Sequence, residues 1–197
     1  MKKPRLILAS GSPRRRELLG LLGLRFRIEV ADVPELSAAQ THLAPREICL
    51  ANAAAKARAV ARRFPDDLVL GADTEVALAS RVFGKPASRR EAAAFLASLS
   101  GQTHQVITAV CLLCTRRRFR LSFTDTTHVT FHPLSPRQIT RYLDTVEPFD
   151  KAGAYAIQEN GEWIVENLEG SLSNVVGLPL AALRTVLANL PPNVRVT

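Results

Sequence analysis

The chain has 197 residues, 47% hydrophobic and 22% charged, which excludes a disordered protein and predicts one domain, 1–197, with a substantial core. Its 26 Lys and Arg against 18 Asp and Glu give a net charge of +8, favouring anionic partners such as nucleotides, nucleic acids or acidic membranes. Only 6% of residues are aromatic, thin for a surface that stacks bases, and the arginines are scattered in short groups.

Leu6 to Ser10 reads as a short buried strand, ended by Gly11 and Pro13. Ser12 and Pro13 then open a helix carrying Leu18, Leu19, Leu21 and Leu22, closed by Gly23. Phe26 to Val30 alternates as a second strand. Pro45 begins a long Ala-rich helix to Arg63, and Leu68 to Leu78 is a third strand interrupted in texture by Gly71. Ser88 caps a helix from Arg89 to Leu99. Thr103–Cys114 and Arg120–Phe131 predict a long hairpin, its tip at Thr115–Arg118. Ser135 and Pro136 start a helix to about Asp144, Trp163 to Asn167 a short strand, and Leu178 to Ala188 a final helix. Alternating strands and helices followed by a hairpin argue for an α/β fold with a mixed sheet.

Several segments could carry chemistry. In Ser10-Gly11-Ser12-Pro13-Arg14-Arg15 a strand meets a helix N-terminus, where backbone N–H groups, two hydroxyls and two arginines suit a phosphate. The plainer alternative is a capped helix start with solvated arginines. Gly71-Ala72-Asp73-Thr74-Glu75 ends a buried strand, where α/β sheets place ligands. Strand alternation puts Asp73 and Glu75 on one face and Thr74 on the other, so the carboxylates could hold Mg²⁺ or divide metal and base roles. The plainer reading has Asp73 capping a turn and Glu75 facing solvent. Lys85 sits in the rigid turn Gly84-Lys85-Pro86, and Lys56 among small residues of the long helix. Glu35 lies in a Pro-containing loop, while Glu47 suits a helix start.

Other signals point elsewhere. Cys111 and Cys114 have CxxC spacing, but on a strand that offset puts the thiols on opposite faces. His128 and His132 alone make an incomplete metal set. Three cysteines, an odd number, fit a reducing compartment. No stretch approaches the ~20 apolar residues of a membrane span, and the apolar run after the basic start is too short for a signal peptide. A cytoplasmic protein is expected.

Taken together, the ordered motifs resemble the Maf family of nucleoside-triphosphate pyrophosphatases over about residues 5–188. They are Ser10 to Arg15, Lys56, Gly71-Ala-Asp-Thr, Gly84-Lys-Pro, the segment from Leu99 to Thr108, Asp150 to Tyr155, Ile157-Gln158 and Glu169 to Pro179. The resemblance implies a Maf/ITPase-like fold, an elongated mixed sheet flanked by helices with a cleft between two lobes. It implies hydrolysis of a nucleoside triphosphate between the α and β phosphates, with a divalent metal cation, Mg²⁺ or Mn²⁺, and a homodimer. Carried over by motif, Asp73 is the general base and shares the metal with Glu35, while Ser10, Arg15, Lys56 and Lys85 serve the phosphates. Arg14, Thr74 and Gln158 match the branch preferring dTTP and UTP. A Gln amide can pair with a pyrimidine's O and N–H edge. Three positions depart from the pattern: Pro34 replaces an acidic residue, Glu75 a usual apolar one, and Ala156 a common Gly. The rivals are the sister specificity for 7-methyl-GTP and a nucleic-acid-binding protein linked to septum formation.

Overall fold

The computed structural model describes residues 3–196. Strand Leu6–Leu8 (β1) feeds helix Pro13–Gly20 (α1), and Phe26–Ile28 (β2) returns beside β1. Helix Pro45–Arg63 (α2) leads into the long strand Leu68–Leu78 (β3) and, after a tight turn, Arg81–Phe83 (β4). Helix Arg89–Leu99 (α3) precedes the hairpin Thr103–Cys114 (β5) and Phe119–Phe131 (β6). Helix Pro136–Leu143 (α4), strand Val165–Glu169 (β7) and helices Leu172–Val176 (α5) and Leu180–Ala188 (α6) follow.

The strands form one open mixed sheet in the order β2-β1-β3-β5-β6-β7, with β4 also on β3. β1 runs parallel to β2 and β3, and the remaining pairs are antiparallel. This is the α/β fold with a mixed sheet that the element order predicts.

Burial divides the molecule into three apolar clusters. One face of β1, β3 and β5 packs Leu6, Leu8, Leu70 and Leu112 against α1 and α6. The other face packs Ile7, Val69 and Cys111 against Ala53, Ala57 and Val60 of α2. The far ends of β3, β5 and β6 gather Phe95, Phe131 and Tyr142 with α3 and α4.

Helix α2 starts as its sequence dictates. Pro45 occupies the first turn, and the Glu47 carboxylate accepts the Ala44 N–H at 2.8 Å. Its alanines let it lie against β3 at Gly71, where a Cβ would stand 2.3 Å from the Ala53 carbonyl oxygen.

The pairing of β3 creates the cleft. Residues 68–70 pair with β1, and residues 76–78 pair with β4 on that same edge. Between them, residues 71–75 have a strand partner only on the β5 side. The unpaired stretch is Gly71-Ala-Asp-Thr-Glu.

Four details differ from expectation. β1 and β2 each stop two residues early, at Leu8 and Ile28, because the chain turns away to frame the cleft. β4 follows a turn at Ala79-Ser80 that has no Gly or Asn, with Ala79 taking φ 51° nonetheless. Trp163 ends a 3₁₀ turn, so β7 begins at Val165. The last helix begins at Leu180, after Pro179, and a short helix not predicted from the sequence, α5, precedes it, capped by Ser171 and ended by Gly177 at φ 120°.

Candidate active site

A cavity of about 550 Å³ opens at this unpaired stretch of β3. The β1–α1 turn forms one wall. Ser12 caps α1 by accepting the Arg15 N–H at 3.4 Å, and the Ser10 hydroxyl accepts the Ser12 N–H at 3.2 Å. Arg15 then reaches across to β3. Its Nη1 donates to the Ala72 carbonyl at 3.0 Å, filling a position no strand occupies. Its Nε donates to the Gly177 carbonyl at 2.9 Å and its Nη2 to Thr74 Oγ1, also at 2.9 Å. Thr108 gives its proton to the Asn174 carbonyl at 3.0 Å, so Thr74 donates to Thr108 at 3.0 Å. The chain Arg15–Thr74–Thr108–Asn174 thus ties α1, β3, β5 and α5 together behind the cavity.

The opposite face of β3 carries the acid–base cluster. Asp73 Oδ1 accepts from Lys56 Nζ at 2.5 Å and Oδ2 from Asn52 Nδ2 at 3.1 Å. Its backbone carbonyl accepts the Cys49 thiol at 3.1 Å. Lys56 also meets Glu35 Oε1 at 2.7 Å, and Lys85 meets Glu35 Oε2 at 3.5 Å. Burial by itself would raise the Glu35 carboxyl, but Lys56 and Lys85 hold it below its ordinary value. Carboxylates and ammonium groups therefore alternate along the cavity, each held by the next.

At the other rim Arg14 Nη1 pairs with Asp150 Oδ2 at 3.0 Å, and Lys151 Nζ with Asp150 Oδ1 at 2.8 Å. Gln158 is exposed in a turn of the cavity wall. Tyr155 forms part of the floor, its hydroxyl 2.9 Å from Nε2 of buried His104. Burial pushes His104 down to about 4, so its imidazole is neutral at pH 7 and serves as packing.

Glu75 does not face solvent, contrary to the plainer reading of the sequence. It is 9% exposed, lines the cavity, and receives no hydrogen bond or ion pair from any described residue. Burial, with Asp73 and Glu35 nearby, pushes its carboxyl up to about 8 from the ordinary 4.5. The folded chain then keeps a proton that the unfolded chain releases between those values. Stability falls as pH rises through that window, by about 2–4 kcal/mol. Glu75→Gln removes the dependence. In EDTA it should melt near the wild type at pH 5 and several degrees above it at pH 8.5. A melting difference that does not grow with pH excludes this account of Glu75.

Of the residues singled out from sequence, Arg14, Arg15, Glu35, Lys56, Asp73, Thr74, Lys85 and Gln158 all line this one cavity. Ser10 lies behind the wall and braces the turn, while Ser12 lines the cavity. Cys111 and Cys114 lie in apolar clusters on opposite faces of the sheet, as their spacing predicts. Sequence reasoning missed Asn52. The signal was there, since Asn52 and Lys56 stand four apart on one face of α2.

Among the described residues no three His, Cys, Asp or Glu side chains converge as a ready metal cage. No helix among them is long and apolar enough to cross a membrane. The donor set suits Mg²⁺ nonetheless, because that ion takes one or two carboxylates and completes its octahedron with water and phosphate oxygens. Glu35 and Asp73, flanking one Lys56 ammonium, are such a pair.

Comparison with known proteins agrees with this geometry. The chain is 46% identical over 187 residues to a dTTP/UTP pyrophosphatase of Akkermansia muciniphila, covering 95% of this chain and 97% of that one. It is 50% identical over 184 residues to a protein of the same name from Moorella thermoacetica, covering 93% and 94%. A third, from Bacillus cereus, is 45% identical over 179 residues, covering 91% and 92%. The profile of the Maf-like protein family matches residues 5–190, and by that span and these identities the chain belongs to the Maf-like family.

Proposed function

We propose that this cavity binds a nucleoside triphosphate and hydrolyses the bond between its α and β phosphates, with dTTP and UTP preferred. The observation that carries the reading is the alternation of Asp73, Lys56, Glu35 and Lys85 along one wall. A triphosphate needs that pattern, with ammonium groups for its charge and carboxylates for a cation and a proton. The names of the relatives support the same substrates.

Lys56, Lys85 and Arg14 neutralise the phosphate chain, and Arg15 adds its charge from behind while bracing the wall. Asp73 takes a proton from water as the oxygen bonds to the α-phosphorus. The bond from that phosphorus to the bridging oxygen breaks, and pyrophosphate leaves with the electron pair. Glu35 and Asp73 would hold the divalent cation, Mg²⁺ or Mn²⁺, which when bound offsets phosphate charge and polarises the phosphoryl oxygens. Gln158, at the rim, pairs with the pyrimidine edge, and Arg14 with Thr74 shapes the nucleotide's approach. The homodimer, and the absence of a nucleic-acid partner, belong to the same proposal.

The test is a panel of dTTP, UTP, CTP, GTP, ATP and 7-methyl-GTP with Mg²⁺ and then Mn²⁺, products resolved by ion exchange. Monophosphate and pyrophosphate from dTTP and UTP are expected. Turnover of 7-methyl-GTP alone would overturn the roles of Arg14, Thr74 and Gln158. No turnover with either metal, together with salt-sensitive binding of DNA or RNA, would favour a binding protein instead.

A further inference from the structure

We propose that Asn52 is a positioning residue for this hydrolysis, holding the Glu35 loop and the Asp73 carboxylate at one fixed spacing. The inference rests on reading the cavity as a triphosphate site. Asn52 is buried on α2, one turn before Lys56. Its Oδ1 accepts the Leu36 N–H at 2.8 Å, and its Nδ2 donates to the Leu36 carbonyl at 3.0 Å. The second proton on Nδ2 goes to Asp73 Oδ2 at 3.1 Å. The Asp73 carboxylate can only accept, so it fixes which end of the amide faces it. Both amide protons are used, and the amide cannot flip without losing all three bonds.

The consequence is geometric. Glu35 precedes Leu36 in a segment without regular secondary structure, so its position depends on what pins that segment. The pin is a single side chain that also sets the orientation of Asp73. Asn52 and Lys56 project from one rigid helix, and together they hold both carboxylates from behind. Glu35 and Asp73 would hold the divalent cation, and a separation set in advance would spare the cost of ordering them on binding. Groups that orient metal ligands in this way are typically worth about 10–100-fold in metal affinity or activity.

The experiment compares wild type with Asn52→Leu, which keeps volume and removes every bond, and Asn52→Ala, which suits an Ala-rich helix. Mn²⁺ affinity without nucleotide is read by electron paramagnetic resonance, and kcat and KM for dTTP from steady-state rates. We expect Mn²⁺ affinity and kcat each to fall by about 10–100-fold, with KM moving less than about threefold because Lys85 and Arg14 are untouched. Exchange of the Leu36 amide hydrogen should quicken. A role in stability alone would lower the melting temperature and leave Mn²⁺ affinity and kcat of the folded protein within twofold, and that result overturns the proposal. If Asn52→Leu does not fold, Asn52→Ala decides. A wild type that binds Mn²⁺ but cleaves no triphosphate overturns the hydrolase reading, while the Mn²⁺ arm still judges Asn52.

Discussion

Asp73→Asn should lower turnover of dTTP by about 10³-fold or more while leaving the protein folded. General-base catalysis by a positioned carboxylate is worth about 10²–10⁴-fold, and the same substitution removes one of the two carboxylates proposed to hold the cation. Asn is close to Asp in volume, so the strand and its pairing with Ala109 survive. Lys56 is not left stranded, because Glu35 Oε1 remains 2.7 Å from its ammonium. The carboxylate most crowded by Asp73, that of Glu75, also loses a repelling neighbour. Circular dichroism and thermal melting check the fold, and ion-exchange product analysis checks the rate. A folded variant with turnover within tenfold of wild type would remove Asp73 from the base role and move it to Glu35 or a metal-bound water.

Gly71→Ala should destabilise the protein by about 3 kcal/mol or more and abolish activity with it. A Cβ at Gly71 would lie 2.3 Å from the Ala53 carbonyl oxygen and 2.7 Å from the Ala57 backbone nitrogen. Both are helix backbone atoms, and no rotamer change moves them aside. The helix must retreat from the sheet, and it carries Cys49, Asn52 and Lys56 with it. All three touch Asp73, so lost packing and lost site geometry come from one displacement. Gly20→Ala is the matched control. Nothing lies within 4 Å of its Cβ position, and Ala is preferred in a helix, so stability should hold or rise by roughly 0.5–1 kcal/mol. Equal effects of the two substitutions in chemical denaturation would rule out the close approach of α2 to β3 as the cause.

Glu75 and Asn52 mark where reading along the chain stops. Strand alternation places Glu75 beside Asp73, but alternation names a face and not what covers it. On most antiparallel sheets one face is open to water, and a glutamate there is unremarkable. Here α2 packs on that face, and Glu75 is buried at the cavity within the electrostatic reach of Asp73 and Glu35. Asn52 is equally quiet in sequence. Its partners are Leu36, sixteen residues before it, and Asp73, twenty-one after. Arg15 shows the same limit from the other side. Its sequence context suits a phosphate, yet its guanidinium lies mainly along protein carbonyls and hydroxyls of segments far away in the chain.

What the sequence determined by itself is local or periodic. Pro45 in the first turn of α2, and Ser88 with Glu91 and Ser135 with Gln138 three residues apart, mark helix starts because first-turn proline and side-chain capping are local signals. The hairpin of β5 and β6 is legible because its strands are long and its turn is short. The ordered motifs from Ser10 to Pro179 likewise identify the family and its candidate residues, since motif spacing is a property of the chain. Where β3 leaves β1 and takes up β4 was decided only by the tertiary structure, and so were the burial of Glu75, the pin at Asn52 and the brace at Arg15. Each depends on surfaces that meet only after the chain has folded, because desolvation and hydrogen bonding act on neighbours in space.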